Sequence, residues 1–383
     1  MNGTAAARNS FPDMRSALAP LVRLSARVGR DPLLVQASSG NTSIKLDGVL
    51  WIKASGKWMA DADRYDMFVP VSLAETREQL ERHTDLVVDS ARSAAPPTRP
   101  AAQAMSASIE TFMHAVVPHR VVVHVHSVNA IAWAVRQDAQ SEVAQRLLGL
   151  RWHWVPYVPS GRPLAGEMEK VASHRPDRDV FVLGNHGLVV CGEDCDAVED
   201  LLGEVERRLA IAPRRAPVAR KGLLEQLACI SPWRLPEMEA LHALGTDATS
   251  RRILRGGVLY PCQAIFLGQP APMMPCSVPV SDVRDGVGGQ YVHRPFLIVE
   301  GSGVMLSQKI TRAELAVLSG LVEVVQRIGP TAPVRYLTQS DVAGVLSGDG
   351  VRYRASAENN QSVSAVSQEC FQPSSWNGEE LSR

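Results

Sequence analysis

Hydrophobic and polar positions in the N-terminal third of the chain alternate between helical and extended patterns. Apolar residues recur every three to four positions between residues 16 and 29, which predicts an amphipathic helix. Short apolar runs at residues 49–53 and 67–71, each bounded by turn-forming residues, predict strands, and helices are predicted over 72–83 and 108–117. This order of elements indicates an α/β fold in which short antiparallel strands dominate.

The next predicted strand is the most informative one, because it carries two histidines. Residues 121–130 read Val-Val-Val-His-Val-His-Ser-Val-Asn-Ala. Strand side chains alternate between the two faces of a sheet, so His124 and His126 project to one side and Val123 and Val125 to the other. Two imidazoles on one face can bind a metal ion, but two hydrogen-bonded core histidines produce the same pattern. Taken alone, the pair leaves both interpretations open.

The chain beyond this strand continues with helices and strands in alternation. Helical spacing covers residues 130–148 and 163–174, and the apolar run at 179–184 predicts a buried strand. A Gly-Asn-His-Gly turn then leads into a further apolar strand. Residues 195–211 place their apolar side chains on one stripe, which predicts an amphipathic helix that closes this unit.

The distribution of proline, arginine and polar residues predicts four segments. Residues 1–15 are small and polar and are expected to be flexible, and residues 16–211 form a first domain that ends at a Pro/Arg-rich stretch. Residues 212–354 form an accessory α+β domain, and the Ser/Asn/Gln/Glu-rich residues 355–383 predict a disordered tail. In the accessory domain, apolar patterns predict strands at 264–267 and 296–299 and helices at 223–229, 236–244 and 312–328.

Composition and charge narrow the class of partner. The 383 residues include 40 basic and 40 acidic side chains, and 45% of the residues are hydrophobic. Because the charges cancel and no run of about 18 apolar residues occurs, neither a nucleic-acid-binding basic domain nor a membrane span is indicated. The N-terminus lacks the apolar core of a secretory signal, and the six cysteines are scattered rather than arranged as a disulfide framework. We therefore expect a cytoplasmic protein that binds a small molecule or another protein.

A third histidine and a glutamate extend the metal hypothesis. His186 lies between two glycines, which allow the backbone to approach a neighbouring strand, and three histidines with an open fourth position describe a catalytic zinc site. Glu110, in the helix before the histidine strand, is either a catalytic carboxylate or a first-turn glutamate favoured by the helix dipole behind a Ser106 or Ser108 cap. His114 lies on the same helix face, where it could orient Glu110 or merely pack, and packing is the prediction.

Five short motifs occur in the order and approximate spacing of the class II aldolase/adducin family: Ser39-Gly-Asn-Thr-Ser43, Ala54-Ser-Gly56, Ser108-Ile-Glu110, His124-Val-His126 and Asn185-His-Gly187. The chain resembles this family over about residues 16–211, and most of all the aldolase part of bifunctional aldolase/short-chain dehydrogenase proteins. The resemblance implies a three-layer αβα fold with a central, mainly antiparallel sheet. It also implies a homotetramer with active sites at subunit interfaces.

The resemblance further implies roles for individual residues. His124, His126 and His186 would hold Zn²⁺ or another divalent metal, and Glu110 would be the general acid/base, which in some family members also touches the metal. The phosphate of a ketose phosphate would bind to turns and a serine, namely Gly40, Asn41, Thr42, Ser55, Gly56 and Ser108. Ile109 stands where the family's sugar-phosphate aldolases commonly have a second serine, which weakens the case for a phosphate.

The function implied is that of a zinc-dependent aldolase that cleaves or forms a ketose or ketose 1-phosphate through a metal-stabilised enediolate. Two alternatives stay open: an epimerase or decarboxylase of the same fold, and an adducin-like scaffold without catalysis. Retention of three histidines and the glutamate argues against the scaffold. No NAD is expected, because Asp285–Gly289 resembles only half of a dinucleotide fingerprint and lacks the flanking strand and helix.

Overall fold

The computed structural model describes residues 11–82, 105–275, 291, 294–347 and 349–359. The first half of the chain is built on a seven-stranded sheet with the strand order β3-β2-β1-β4-β7-β6-β5. Neighbouring strands are antiparallel except β5 and β6, which run parallel. The strands are β1 (Asn41–Leu46), β2 (Val49–Lys53), β3 (Phe68–Ser72), β4 (Val121–Val125), β5 (Trp152–Val155), β6 (Val180–Leu183) and β7 (Gly187–Gly192).

Helices cover both faces of this sheet. On one face, apolar side chains of the sheet pack against α1 (Phe11–Arg30), α4 (Val128–Ala134), α5 (Ala139–Arg146) and α7 (Cys195–Leu209). On the other face they pack against α2 (Leu73–Glu81), α3 (Thr111–Val116) and α6 (Arg162–His174). The predicted three-layer αβα fold with a mainly antiparallel sheet is therefore confirmed.

Strand β4 lies at the centre of the sheet, and all of its residues are buried. Val121, Val123 and Val125 face the layer that contains α1 and α7. Val122 faces the opposite layer, which contains α3. By the same alternation, His124 shares the face of Val122 and is directed toward the start of α3.

The second half of the chain contains a four-stranded sheet with the order β8-β11-β10-β9. Its strands are β8 (Trp233–Arg234), β9 (Met273–Met274), β10 (Phe296–Val299) and β11 (Gly303–Ser307). Its α-helices are α8 (Lys221–Ile230), α9 (Ala243–Thr246), α10 (Ala248–Gly256), α11 (Arg312–Arg327), α12 (Gln339–Val345) and α13 (Asp349–Asn359). Short 3₁₀ segments occur at Met59–Asp61 and Glu239–His242. Among the described helices, none is both long and apolar enough to cross a membrane.

The two halves share a hydrophobic core through helix α4. Ala130 and Trp133 of this helix pack toward the seven-stranded sheet. Val128 and Ile131, on its other side, pack in a cluster that includes Leu321 of α11. The chain changes from one sheet to the other after α7, where the sequence predicted a boundary, but the core continues across that boundary. The division at residue 212 stays a prediction.

Several sequence-based expectations are corrected by the structure. The strand predicted at 264–267 is wrong, because Gln263–Leu267 forms a π-helix; a short buried apolar run has no periodicity that separates the two. The helix predicted over 130–148 is two helices. Helix α1 includes residues 11–15 and α13 includes residues 355–359, so these residues are helical rather than flexible or disordered as predicted. Residues 1–10 and 360–383 lie outside the described residues, as does Asp285–Gly289.

Asn185, in the turn between β6 and β7, links the two halves by hydrogen bonds. Its side chain is fully buried, and its Nδ2 donates to the carbonyl oxygens of Leu259 at 2.9 Å and Arg335 at 3.0 Å. Its backbone has a φ of 50°, in the left-handed region that Asn tolerates better than most residues. The turn that carries His186 is thereby held by the second half of the chain.

We expect Asn185→Ala to lower the free energy of unfolding by about 2–4 kcal/mol, because it leaves two buried carbonyls without a donor and places alanine at positive φ. Asn185→Gly loses the same hydrogen bonds but relieves the backbone conformation, so it should cost about 1 kcal/mol less than the alanine variant. Urea denaturation of both variants measures the difference. A cost below about 0.5 kcal/mol for Asn185→Ala would contradict this role.

Candidate metal centre

Three buried histidines converge at the centre of the first half. His124 belongs to β4, His126 follows the end of that strand, and His186 lies in the turn between β6 and β7. The rings meet edge to face, with centroids 5.1 Å apart for His124 and His126, 4.9 Å for His124 and His186, and 5.2 Å for His126 and His186. One ligand atom from each ring lies within 4.8 Å of the other two. The structure therefore brings the three predicted ligands together.

The donor atoms of this cluster fit a metal ion. His124 Nδ1 donates to the carbonyl oxygen of Leu188 at 3.1 Å, which leaves Nε2 as the free nitrogen of a neutral ring. That Nε2 is buried and is among the described side-chain atoms without a hydrogen-bond partner. Because an unpaired buried nitrogen is costly, a bound ion is the natural partner for it.

Burial also keeps His124 and His126 in the form that binds metals. Burial lowers the pKa of His124 to about 4, partly opposed by the Glu110 carboxylate. Burial and the neighbouring rings of His124 and His186 hold the pKa of His126 well below its usual range. Since a metal competes with a proton for the same lone pair, neutral imidazoles at physiological pH favour binding.

Glu110 faces the three rings rather than the backbone of its helix. It occupies the N-cap position of α3, which begins at Thr111 and not at residue 108 as predicted, and its side chain makes no capping hydrogen bond. Its Oε1 lies 3.3 Å from His186 Nε2, and its Oε2 lies 3.5 Å from His124 Nε2. Burial opposes ionisation, but the proximity of His124 and the hydrogen bond with His186 hold the pKa of Glu110 well below its usual range. Its position matches a catalytic carboxylate better than a helix-capping one.

A buried chain of hydrogen bonds fixes this carboxylate. Asn41 Nδ2 donates to Glu110 Oε2 at 2.8 Å and to Ser108 Oγ at 3.1 Å. Because an ionised carboxylate only accepts, the amide oxygen of Asn41 must face away, where it accepts from His114 Nε2. His114 Nδ1 then accepts from the hydroxyl of Ser43 at 2.7 Å. The prediction that His114 only packs is therefore wrong.

The residues predicted to bind phosphate are not all brought together. Gly40 and Gly56 form turns with φ of 65° and 72°, and the amide of Ser55 donates to the carbonyl oxygen of Ser106 at 2.9 Å. Thr42 projects to the opposite face of β1, where its hydroxyl lies 2.6 Å from that of Ser25 in α1. Asn41 and Ser108 are bonded to each other and to Glu110, as described above. The Thr42 side chain is thus directed away from the histidines.

Lys53 is a site residue that the sequence reasoning missed. Its side chain is 2% exposed, and its Nζ donates to the carbonyl oxygens of Ser38 at 2.9 Å, Lys57 at 2.7 Å and Ala54 at 3.4 Å. Burial lowers the pKa of Lys53 to about 7, partly opposed by the charge of Glu110. The ammonium group ties together the two turns that precede β1 and follow β2. The only sequence signal was a lysine at the end of an apolar strand.

Two further missed residues come from the second half of the chain. Cys262 Sγ lies 3.4 Å from His126 Nδ1, which leaves His126 Nε2 available. The hydroxyl of Ser38 donates to that of Tyr353 in α13 at 3.1 Å. Neither residue carries a local sequence signal, because both reach the site only through tertiary packing across more than a hundred residues.

Comparison with known proteins gives a match to the first half. Residues 20–212 match the family model of the class II aldolase and adducin N-terminal domain. The uncharacterized oxidoreductase YuxG of Bacillus subtilis (strain 168) is 28% identical over 193 residues, which cover 45% of this chain and 26% of that protein. The chain therefore spans about a quarter of the length of that curated relative.

Solved structures of similar proteins include the N-terminal class II aldolase domain of a conserved protein from Thermoplasma acidophilum, with 25% identity, a TM-score of 0.43, and coverage of 55% of this chain and 98% of that one. L-fuculose-1-phosphate aldolase from Thermus thermophilus has 19% identity, a TM-score of 0.34, and coverage of 50% and 92%. YgbL from Escherichia coli, a putative aldolase/epimerase/decarboxylase, has 21% identity, a TM-score of 0.37, and coverage of 51% and 87%.

Acidification is expected to destabilise the protein through His114. Burial, followed by the nearby His124, lowers the pKa of His114 to about 3, so the folded state binds fewer protons than the unfolded state between about pH 6.5 and pH 3. Stability is therefore lost as the pH falls through that window. Between pH 7 and pH 5 this group alone should remove about 2 kcal/mol.

Urea denaturation at both pH values, in the presence of a chelator, tests this expectation. His114→Gln should show a smaller loss of stability on acidification than the unaltered protein, whereas His174→Gln, at an exposed position, should show the full loss. Equal pH dependence in the His114 variant and the unaltered protein would rule out the assignment.

Proposed function

Because this chain belongs to the class II aldolase and adducin family, we propose that it is a zinc-dependent aldolase that cleaves or forms a ketose or ketose 1-phosphate. The observation that carries the proposal is the geometry of the centre. Three buried imidazoles offer ligand atoms within 4.8 Å of one another, and the Glu110 carboxylate lies 3.3 Å from one of them. This combination of an ion site and an adjacent base suits the breaking of a carbon–carbon bond beside a carbonyl.

His124, His126 and His186 would hold the ion, with Zn²⁺ as the expected metal for three imidazole ligands and an open position. When bound, the ion acts as a Lewis acid toward the negative charge that carbon–carbon cleavage leaves on the donor fragment. The protein's own contribution is to present the three rings in a fixed arrangement. The carbonyl of Leu188 holds His124 in the required tautomer, and Cys262 contacts the far nitrogen of His126.

Glu110 would transfer the proton at the donor carbon. Its low pKa keeps the carboxylate ionised, so in the direction of bond formation it can accept the proton from the carbon next to the carbonyl. In the direction of cleavage the same group returns that proton. Asn41 holds one carboxylate oxygen at 2.8 Å, and Ser160 donates to the other at 3.4 Å, so the group is oriented before substrate arrives.

The same residues would also serve a 4-epimerisation or a decarboxylation, because both reactions need the same stabilised negative charge. The products of the reaction therefore decide between these reactions and an aldol cleavage. An adducin-like scaffold is disfavoured by the histidine cluster and by the hydrogen-bonded chain that ends on Glu110. A homotetrameric assembly, a cytoplasmic location and independence of NAD stay predictions.

We expect the purified protein to bind about one zinc ion per chain, and His186→Ala to lower the affinity for zinc by about a hundredfold or more together with activity. Inductively coupled plasma mass spectrometry after dialysis against a graded chelator measures the metal. His174→Ala, an exposed histidine, is the matched control and should retain zinc. Full activity in a metal-stripped sample would contradict the proposed chemistry.

Glu110→Gln should retain zinc but slow proton transfer at the donor carbon by about 10²–10⁴-fold, because the amide keeps the shape of the side chain without its basicity. Exchange of the donor-carbon proton with deuterated water, followed by NMR on a panel of ketoses and ketose phosphates, measures this step. The same spectra distinguish retro-aldol fragments from epimers and from carbon dioxide. Unchanged exchange in the variant would remove Glu110 from the mechanism.

A further inference from the structure

Helix α13, near the end of the described chain, packs on both turns that the family resemblance assigns to a phosphate. A Cβ placed on Gly56 would lie 2.7 Å from the backbone carbonyl of Ser356. Tyr353, three residues earlier on the helix, forms a hydrogen bond with Ser38 at 3.1 Å, in the turn that leads to Gly40. Residues three apart share one face of a helix, so a single face of α13 contacts both turns.

Several interactions hold α13 in this position. The Arg354 guanidinium bonds to Glu314 Oε1 at 2.6 Å, to Glu358 Oε1 at 2.9 Å and to the carbonyl oxygen of Ile265 at 3.0 Å. Glu314 is 5% exposed and also accepts from the backbone of Thr311 at the start of α11. The helix is thus attached to the core of the second half by an ion pair whose carboxylate is buried and whose guanidinium is 40% exposed.

An aromatic contact adds to this attachment and places a neutral group at the turns. The Tyr353 ring packs edge to face against Phe266, with centroids 5.6 Å apart. Burial, followed by the neighbouring Cys262, raises the pKa of Tyr353 well above its usual range, so its hydroxyl stays protonated. The contact with Ser38 is therefore between two uncharged hydroxyl groups.

The groups around these turns are already engaged with protein partners. The Nζ of Lys53, the buried cation beside them, has three carbonyl partners, and the hydroxyl of Thr42 is paired with Ser25 on the other face of the sheet. Ile109 places an apolar side chain against Gly161, whose added Cβ would be 3.4 Å from it. A dianion that displaced α13 would lose the helix contacts and gain few new charged partners, which opposes its burial.

We propose that helix α13 fills the phosphate position of the site and that the substrate is an unphosphorylated ketose. This inference rests on the proposed function and specifies its substrate class. The carbonyl and adjacent hydroxyl of such a substrate would still reach the histidines and Glu110, whereas the hydroxyl at carbon 1, which carries the phosphate in a ketose 1-phosphate, would meet neutral hydroxyl groups rather than a phosphate-binding turn.

Two chelators that differ only in a phosphate test the proposal on the full-length, zinc-loaded protein. Glycolohydroxamic acid and its phosphate ester both present a planar oxygen pair that mimics the enediolate. We expect the dissociation constant of the ester, measured by isothermal titration calorimetry, to lie within about threefold of that of the free compound. A phosphate held by two charge-assisted hydrogen bonds would instead tighten binding by about a hundredfold or more, and that result overturns the proposal.

Arg354→Ala removes the main attachment of α13, and Val351→Ala, whose side chain is 59% exposed on the same helix, is the matched control. If the helix excludes the phosphate, the arginine variant should tighten binding of the ester by about tenfold and leave the free compound unchanged. The valine variant should alter neither. An ester that binds no more tightly to Arg354→Ala than to the control shows that α13 does not exclude the phosphate, and the proposal fails.

A second measurement does not depend on metal chemistry. Hydrogen exchange of residues 54–57 and 349–359 should be unchanged by inorganic phosphate at millimolar concentration. Slower exchange in residues 54–57 together with faster exchange in residues 349–359 would show that phosphate displaces the helix, and that result overturns the proposal. If neither chelator binds, the proposed metal chemistry fails, while the exchange measurement still decides whether the turns accept phosphate.

Discussion

The register of β4 between β1 and β7 is the constraint on which the candidate centre depends. Asn41 pairs with His124 across one side of β4, and Val189 pairs with His124 across the other. Because every residue of β4 is buried, a shift by one residue would put His124 into the apolar layer with α1 and a valine into the centre. The valines on the opposite face oppose such a shift, so the same alternation that builds the core also positions His124 in the candidate metal centre.

The hydrogen bonds among the buried polar groups explain why the centre is organised before any ligand arrives. Polar groups in a buried layer need partners, and the chain from Ser43 through His114 and Asn41 to Glu110 provides them in one direction. Because the carboxylate can only accept hydrogen bonds, the donor and acceptor atoms of each preceding group in this hydrogen-bonded series are fixed in turn. The nitrogen left over in this layer is His124 Nε2, at the point where the three rings converge. The buried polar groups of this hydrogen-bonded series thus have partners, whereas His124 Nε2 is left unpaired where an ion would bind.

Sequence patterns predicted the parts of this arrangement that are local. Period-two alternation was enough to place His124 and His126 on one face, and the glycines around His186 indicated a close approach of backbones. The same reasoning misjudged His114, because its partners Ser43 and Asn41 lie about seventy residues earlier in the chain, and no local pattern reports that distance. Cys262 and Tyr353 were missed for the same reason, whereas Lys53 was missed because its partners are backbone carbonyl groups, which no pattern of side chains reports. The apolar run at 264–267 was misread because burial removes the periodicity that distinguishes helix from strand.

The second half of the chain takes part in the centre at several points, although the family match ends at residue 212. Carbonyl groups of the second half accept the hydrogen bonds of Asn185, which precedes His186. Cys262 contacts His126, and Tyr353 contacts Ser38 in the turn before β1. Two of these contacts adjoin histidines of the candidate metal centre, whereas the third lies where the family resemblance places the substrate. The histidines and Glu110 come from the first half, which matches the family, but the helix that covers the turns at Ser38 and Gly56 is α13. Under the proposed function, reaction chemistry and substrate choice would therefore be contributed by different halves of this chain.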